Sequence, residues 1–215
     1  MALVQAAIDE MDIETGKKTA KLAYEKGADI IEVGTGLLFK YGFDAIREIR
    51  KAVGSGARII ADYKYAAGWG LVGLVKDAGC DMVLLTAGYK DFLITETVKA
   101  CRNAGIVPIF DLFINFKDVG SRVPQLVDMG VEYLFIHRFE DVWMPGEETR
   151  RLDALRAIKD LNLPVRVDLT SDKWQEAADA ARDGADIITF GRVLLEPDAD
   201  TCEKWIRMIH GDRSV

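Results

Sequence analysis

Short apolar runs alternate with amphipathic stretches along the whole chain. The runs are nearly continuous and rich in β-branched residues, as in Arg-Ile-Ile-Ala-Asp-Tyr-Lys at 58–64, which is typical of parallel strands covered on their outer face. The longer stretches have apolar residues at helical spacing, and several end at a glycine, such as Gly27, Gly105 or Gly184. The pattern predicts strands at 4–9, 28–34, 58–64, 81–87, 107–113, 133–137, 164–170 and 185–191. It predicts helices at 14–26, 42–53, 69–79, 91–104, 119–129, 149–161, 171–182 and 198–210, with a loop through Thr35 and Gly36.

This strict alternation predicts a closed (β/α)₈ barrel, also called a TIM barrel. The 215 residues would form one domain, 1–215, at the compact end of that fold. A doubly wound open sheet is the alternative. The first predicted strand is not followed by a Gly-x-Gly-x-x-Gly sequence, which disfavours a dinucleotide-binding fold.

Composition excludes several classes of function. The chain is 49% hydrophobic and 29% charged, with a net charge of −7 and no basic cluster on a predicted helix, so nucleic acid is not an expected partner. No apolar run is long enough to span a bilayer, and the first residues have no basic signal-peptide region. The three scattered cysteines fit neither a disulfide framework nor a metal site. We therefore expect a cytoplasmic protein.

Polar side chains gather where the predicted strands end. In a (β/α)₈ barrel the active site forms at the carboxyl ends of the strands. Strand alternation puts Asp62 and Lys64 on one face, where an acid and an amine would be costly unless they pair or bind a ligand. The candidate catalytic residues are Asp9, Asp62, Lys64 and His137, and the candidate substrate-binding residues are Asp9, Thr86, Asp168, Thr170, Gly191 and Arg192.

Two carboxylates on neighbouring strands, Glu32 and Asp62, form a natural pair of ligands for Mg²⁺. Lys64 could then protonate a carbanion or stabilise an enolate oxygen, and His137 could act as an acid or base near neutral pH. Two alternatives stay open. Asp62 and Lys64 could be a buried structural ion pair, and His137 could be a hydrogen-bonded histidine under the loop that follows it.

These residues resemble a known group of enzymes. Ala7-Ile8-Asp9, Ile31-Glu32-Val33-Gly34-Thr35, Ala61-Asp62-x-Lys64, His137 and Gly191-Arg192 together resemble the orotidine 5′-monophosphate decarboxylase suprafamily. The resemblance is greatest to its 3-keto-L-gulonate 6-phosphate decarboxylase and 3-hexulose-6-phosphate synthase branch. It implies a Mg²⁺-dependent barrel dimer that forms an enediolate from a sugar phosphate. Glu32 and Asp62 would bind Mg²⁺, Lys64 would lie beside the enediolate, and Gly191 and Arg192 would hold phosphate.

The chain departs from the family pattern at three places. The second acid of the Asp-x-Lys-x-x-Asp motif is Ala67, and the arginine that decarboxylases have three residues after the histidine is Glu140. The family's phosphate-binding Gly-Gly pair at the end of strand seven is replaced by Leu169-Thr170, preceded by Asp168. A carboxylate beside phosphate is repulsive, and Asp168 and Arg192 could instead pair with each other.

The resulting expectation is a carbon–carbon lyase, a decarboxylase or aldolase, acting on a keto-sugar that is phosphorylated. An isomerase or epimerase sharing the enediolate is an alternative, as is a barrel that has lost catalysis and binds a ligand. The resemblance also implies a homodimer, with Tyr65 and Trp69 suited to the interface.

Overall fold

The barrel is closed, with eight parallel strands hydrogen-bonded in the order of the chain and the last strand paired with the first. The structure is a computed structural model, and it describes residues 1–64, 69–112, 119–137, 147–191 and 199–211. The strands are β1 (Leu3–Ile8), β2 (Ile30–Val33), β3 (Arg58–Asp62), β4 (Met82–Thr86), β5 (Val107–Asp111), β6 (Tyr133–Ile136), β7 (Arg166–Thr170) and β8 (Ile187–Phe190). The prediction of a (β/α)₈ barrel is confirmed.

Nine helices are described outside the barrel. They are α1 (Ile13–Glu25), α2 (Thr35–Tyr41), α3 (Phe43–Val53), α4 (Trp69–Asp77), α5 (Asp91–Ala104), α6 (Val119–Asp128), α7 (Glu147–Asp160), α8 (Trp174–Arg182) and α9 (Ala199–Ile209). None of these described helices is both long enough and apolar enough to cross a membrane.

The predicted loop through Thr35 and Gly36 is wrong, because both residues lie in α2. The helix is short, and Gly42, with a φ of 58°, ends it and starts α3 at once. Leu37 and Leu38 are buried, so packing against the barrel stabilises a turn of helix whose Gly34 N-cap offers no side chain to cap it.

The strands separate two apolar clusters. The larger cluster lies between the strands and the helices, and the smaller one fills the lower part of the barrel interior, where it contains Ile30, Ile60, Met82, Leu84, Ile109, Phe135 and Ile187. Because side chains alternate between the two faces, the next inward-facing position of each of these strands lies two residues further along the chain. These positions are all polar, namely Glu32, Asp62, Thr86, Asp111, His137 and Thr189. The strands β2 to β6 and β8 therefore each carry an apolar residue below a polar one inside the barrel, whereas the inward positions of β7 are Arg166, Asp168 and Thr170.

Candidate active site

A buried acid on β2 lies at the centre of the polar end of the barrel. Glu32 is 4% exposed, and its Oε2 accepts a hydrogen bond of 2.6 Å from Nε2 of Gln5 on β1. Burial raises the pKa of Glu32 well above its usual range, and the charges of Asp62 and Asp9 raise this pKa further, while Gln5 and the charge of Lys64 oppose the rise. The predicted site residues Asp9, Glu32, Asp62 and Lys64 thus lie close enough to interact electrostatically.

Gly34 brings the ends of β1 and β2 together. A Cβ atom at this glycine would lie 2.4 Å from Oδ1 of Asp9 and 2.6 Å from the carbonyl oxygen of Ile8. The Gly34 amide donates to that same carbonyl over 3.2 Å. The carboxylate of Asp9 therefore occupies the space that any larger residue at position 34 would need.

Asp62 and Lys64 contact each other, although the strand predicted to run to residue 64 ends at Asp62, so strand alternation is not the cause of the contact. Nζ of Lys64 is 3.4 Å from Oδ2 of Asp62, and the hydroxyl of Thr35 donates to the same oxygen over 2.7 Å. The backbone of Lys64 lies in the left-handed region, with a φ of 53°, and its amide donates to the carbonyl of Leu84 over 2.9 Å. The lysine side chain thus returns towards the aspartate just after β3 has ended.

The surroundings of Asp62 leave one of its oxygens unused. Burial raises the pKa of Asp62, and the charge of Lys64 and the hydrogen bond from Thr35 partly oppose this rise. Oδ1 of Asp62 is buried and has no hydrogen-bond partner within the described part of the chain. A buried acceptor without a partner costs about 1–3 kcal/mol, so this oxygen is suited to an external ligand.

His137 is held by an acid on the neighbouring strand β5. Nδ1 of His137 lies 2.9 Å from Oδ2 of Asp111, which is fully buried at the end of β5. The histidine side chain keeps 17% of its surface exposed. An acid on Nδ1 orients the imidazole for chemistry at Nε2. The hydrogen bond is therefore compatible with both interpretations of His137, as a hydrogen-bonded histidine and as an acid or base.

Asp168 lies deep inside the barrel. It is fully buried inside the barrel on β7, and its Oδ1 accepts a 2.7 Å hydrogen bond from the hydroxyl of Thr189 on β8. Burial raises the pKa of Asp168 to about 8, and the charge of Asp111 adds to this rise, while the Thr189 hydrogen bond opposes it. Its other oxygen, Oδ2, and the hydroxyl of Thr170 are buried without a partner among the described residues.

The remaining predicted residues are placed in part. Thr86 ends β4, and its hydroxyl accepts a 3.1 Å hydrogen bond from the Gly88 amide, so it stabilises the turn after the strand. Gly191 is buried directly after β8. Arg192, and with it the suggested Asp168–Arg192 pair, lies outside the described residues, as do Tyr65, Ala67 and Glu140.

The carboxylates present fit a magnesium ion. Glu32 and Asp62 supply hard oxygen ligands, and Asp62 keeps a buried oxygen that the described chain does not use. Within the described ranges, no three side chains of His, Cys, Asp or Glu are grouped as a complete metal site. Mg²⁺ does not require such a group, because it commonly binds one or two carboxylates and keeps waters or substrate oxygens.

Three residues of the site escaped the sequence analysis. Gln5 and Thr189 are uncharged positions within apolar strands, and each hydrogen-bonds a site carboxylate, Glu32 and Asp168 respectively. A polar residue at an inward position of a strand was the available signal for both. Thr35 stood out only as part of a motif, and it binds Asp62.

The chain is similar in sequence to several known enzymes. No protein-family model matches it. The 3-hexulose-6-phosphate synthase of Staphylococcus haemolyticus (strain JCSC1435) is 28% identical over 198 residues, covering 91% of both chains. The 3-hexulose-6-phosphate synthase of Bacillus subtilis (strain 168) is 27% identical over 148 residues, covering 68% of this chain and 69% of the relative.

Solved structures have the same fold. A crystal structure of 3-hexulose-6-phosphate synthase has a TM-score of 0.84 at 24% identity, covering 96% of this chain and 99% of that one. The 3-keto-L-gulonate-6-phosphate decarboxylase of Vibrio cholerae O1 biovar El Tor str. N16961 has a TM-score of 0.78 at 21% identity, covering 97% and 96%. The orotidine 5′-phosphate decarboxylase of Pyrococcus horikoshii OT3 has a TM-score of 0.73 at 22% identity, covering 97% and 100%.

These names match the motifs found in the sequence. The chain is similar in sequence to 3-hexulose-6-phosphate synthases, and it has the fold of that enzyme, of 3-keto-L-gulonate-6-phosphate decarboxylase and of orotidine 5′-phosphate decarboxylase, which are the proteins that its motifs resemble.

Proposed function

We propose that the protein is a Mg²⁺-dependent carbon–carbon lyase that acts on a keto-sugar phosphate through an enediolate. The observation that carries the proposal is the cluster of Asp9 with the buried Glu32 and Asp62, in which the amine of Lys64 lies 3.4 Å from Asp62. Burial and the charges of Asp62 and Asp9 raise the pKa of Glu32, so a cation is needed to keep Glu32 ionised, and a metal beside Lys64 would provide it. The names of the relatives support sugar phosphates as the substrate class.

In this proposal each residue has a distinct task. In the cleavage direction the carbon–carbon bond breaks, CO₂ or an aldehyde leaves, and the electron pair enters an enediolate that then takes up a proton. In the aldol direction a base removes a C–H proton to form the enediolate, which then bonds to an aldehyde carbon whose oxygen takes up a proton. Bound Mg²⁺ would stabilise the negative charge of the enediolate oxygens. Lys64 would hold a proton next to the reacting carbon, and His137, oriented by Asp111, would exchange protons through Nε2. An isomerase or epimerase would use the same groups.

The test is calorimetric titration of Mg²⁺ with and without a panel of ketopentose and ketohexose phosphates. We expect the wild type to bind Mg²⁺ more tightly in the presence of one of these sugars. Glu32→Gln and Asp62→Asn should each weaken Mg²⁺ binding at least about tenfold, because each removes a charged ligand. The exposed, helix-borne Glu25→Gln is the matched control and should leave binding unchanged.

The outcomes separate the candidate functions. Coupling between Mg²⁺ and a sugar phosphate, with product formed, supports the lyase, and coupling with only interconversion of sugars supports the isomerase. A wild type that binds no Mg²⁺ with any of these ligands would contradict the proposal and leave the metal-free binding barrel.

We also propose a homodimer formed beside α4 and α5, in the cytoplasm. Leu74, Phe92 and Leu93 on these neighbouring helices are 50%, 69% and 39% exposed, and α4 follows the segment that the family resemblance assigns to a subunit contact. Light scattering after size exclusion should give twice the 23.9 kDa chain mass, and Phe92→Ser should shift the protein towards monomer. Phe39→Ser, on α2 and 74% exposed, is the control. A wild-type monomer at micromolar concentration would contradict the dimer.

A further inference from the structure

A strip of polar side chains lines the barrel interior across three consecutive strands. It consists of Asp168 and Thr170 on β7, Thr189 on β8 and Gln5 on β1, and we call these four residues the polar strip. Thr189 is the register partner of Thr170 on one side and of Gln5 on the other. Asp168, Thr189 and Gln5 are 0%, 2% and 0% exposed, so the strip is a continuous internal surface.

The polar strip has more hydrogen-bonding groups than the described chain satisfies. Thr189 donates to Oδ1 of Asp168, and Nε2 of Gln5 donates to Glu32. Three buried atoms are left without a partner among the described residues, namely Oδ2 of Asp168, Oγ1 of Thr170 and Oε1 of Gln5. More than nine in ten buried polar groups in native proteins find a partner, so three neighbouring exceptions indicate a bound molecule.

The free groups of the strip suit hydroxyl groups rather than a phosphate. With a pKa raised to about 8 by burial, Asp168 is largely protonated at neutral pH and can donate from Oδ2. The hydroxyl of Thr170 can donate and accept, and the carbonyl of Gln5 can only accept. A sugar hydroxyl both donates and accepts and can satisfy all three. A phosphate dianion only accepts hydrogen bonds, so it cannot bind the Gln5 oxygen, which is also an acceptor. Its negative charge would repel any negative charge on Asp168.

We propose that the polar strip binds the uncharged, hydroxyl-bearing part of the ligand and that the phosphate of the ligand is held elsewhere. The proposal rests on the proposed function, because it concerns the same ligand, and Gln5 joins the strip directly to Glu32 of the proposed metal pair. The enediolate oxygens would thus lie at the carboxylates, with neighbouring hydroxyl groups against β8 and β7. The strip would therefore determine which keto-sugar the site accepts.

The first test compares ligands and variants by calorimetry in the presence of Mg²⁺. The probes are D-ribulose 5-phosphate, D-xylulose 5-phosphate, the two unphosphorylated ketoses and inorganic phosphate. Thr170→Val and Asp168→Leu should each weaken binding of the ketoses and their phosphates about five- to tenfold, since each removes a hydrogen bond. They should leave inorganic phosphate unaffected. Thr97→Val, which changes a buried threonine on α5, is the control that should leave every affinity unchanged.

The second test uses pH and a conservative variant. Ligand affinity of the wild type should change as pH rises through about 8, because Asp168 then loses its proton and becomes a charged acceptor instead of a donor. Asp168→Asn keeps a donor at this position and should retain affinity with a flat profile. The titratable groups around Asp168 and the strip are Asp111 and its partner His137 on the β5–β6 side, Glu32, which Gln5 joins to the strip, Asp9 after β1, and Arg166 and Tyr133 at the lower ends of β7 and β6. Since none of them changes in Asp168→Asn, a wild-type profile that persists in the variant would assign the titration to one of them.

Several results would overturn the proposal. Unchanged ketose affinity in Thr170→Val and Asp168→Leu, with both variants folded by thermal unfolding, would mean that the strip holds only structural water. A loss of inorganic phosphate binding in these variants would make it a phosphate site, and a wild type that binds no ketose in either form would also contradict the proposal. Failure of the proposed function has a different signature, in which ketoses bind equally with and without Mg²⁺ and Glu32→Gln changes nothing.

Discussion

At the scale of single residues, Gly34 allows the carboxylate of Asp9 and the end of β1 to pack directly against the end of β2. A Cβ atom at position 34 would approach Asp9 to 2.4 Å, far below any real contact, and a second close atom, the carbonyl oxygen of Ile8, belongs to the backbone and cannot turn away. Relief would have to come from movement of Asp9 or of the ends of β1 and β2. The position is thus tied to the geometry of the acidic cluster.

We predict that Gly34→Ala lowers the free energy of unfolding by about 1–3 kcal/mol, the usual cost of overpacking. Urea unfolding of the purified variant measures this. Gly73→Ala is the matched control, because a Cβ atom there would contact nothing within 4 Å. Alanine in that helix should be neutral or stabilising by up to about 1 kcal/mol. Equal unfolding midpoints for the two variants would contradict the argument.

The residue pairs of the site were only partly predictable from the sequence. Closeness along the chain was enough to place Asp62 with Lys64, although the lysine lies after the end of β3 and reaches the aspartate through a left-handed backbone rather than through strand alternation. The pairs Asp111–His137 and Asp168–Thr189 join different strands, and they depend on a register that the strand sequences do not encode by themselves. Burial, which raises the pKa of Asp168, likewise depends on the assembled barrel.

At the scale of elements, a buried ion pair joins α7 to α8 behind the barrel. The guanidinium of Arg151 donates to both carboxylate oxygens of Glu176 over 2.8 and 3.0 Å, and these residues are 1% and 7% exposed. The hydroxyl of Ser171, just after β7, also donates to Glu176 over 2.7 Å. This network connects the end of a site strand to two helices.

We predict that Glu176→Ala lowers the free energy of unfolding by about 3–5 kcal/mol, because it leaves the Arg151 charge buried without its partner. Gln175→Ala changes the adjacent, exposed position of the same helix and should have an effect below about 1 kcal/mol. Chemical denaturation of both variants gives the comparison. A loss in Glu176→Ala no larger than in the control would show that the pair adds nothing to stability.

The predicted helices and strands are correct where a periodic apolar pattern extends over many residues. The prediction failed at one short helix, which depends on packing against the barrel. The eight strands and most helices follow directly from the apolar pattern, with differences of a few residues at their ends. The helix α2 was missed because its seven residues include a glycine and begin after another glycine. Burial of its leucines against the barrel outweighs this poor helix propensity.

At the scale of the whole molecule, the barrel interior changes from apolar to polar along its axis. The lower layer is a closed apolar cluster, whereas acids, a lysine, a histidine and threonines occupy the carboxyl ends of the strands. The fold and the location of the site follow from the sequence because six of the eight strands repeat this gradient. The identity of the sugar does not, because it depends on a few hydrogen-bonding groups such as Thr170 and Gln5, whose partners the strand pattern does not reveal.

The left-handed backbone of Lys64 lowers the stability of the fold at a position whose side chain belongs to the proposed active site. A residue with a side chain costs about 1–2 kcal/mol in that region, and glycine, or to a lesser degree asparagine, avoids the cost. Directed evolution that selects only for heat resistance would therefore favour exchanging this lysine, and the same exchange would remove the amine beside Asp62. Engineering of this barrel for industrial temperatures should hold position 64 constant and seek its gains among the outer helices.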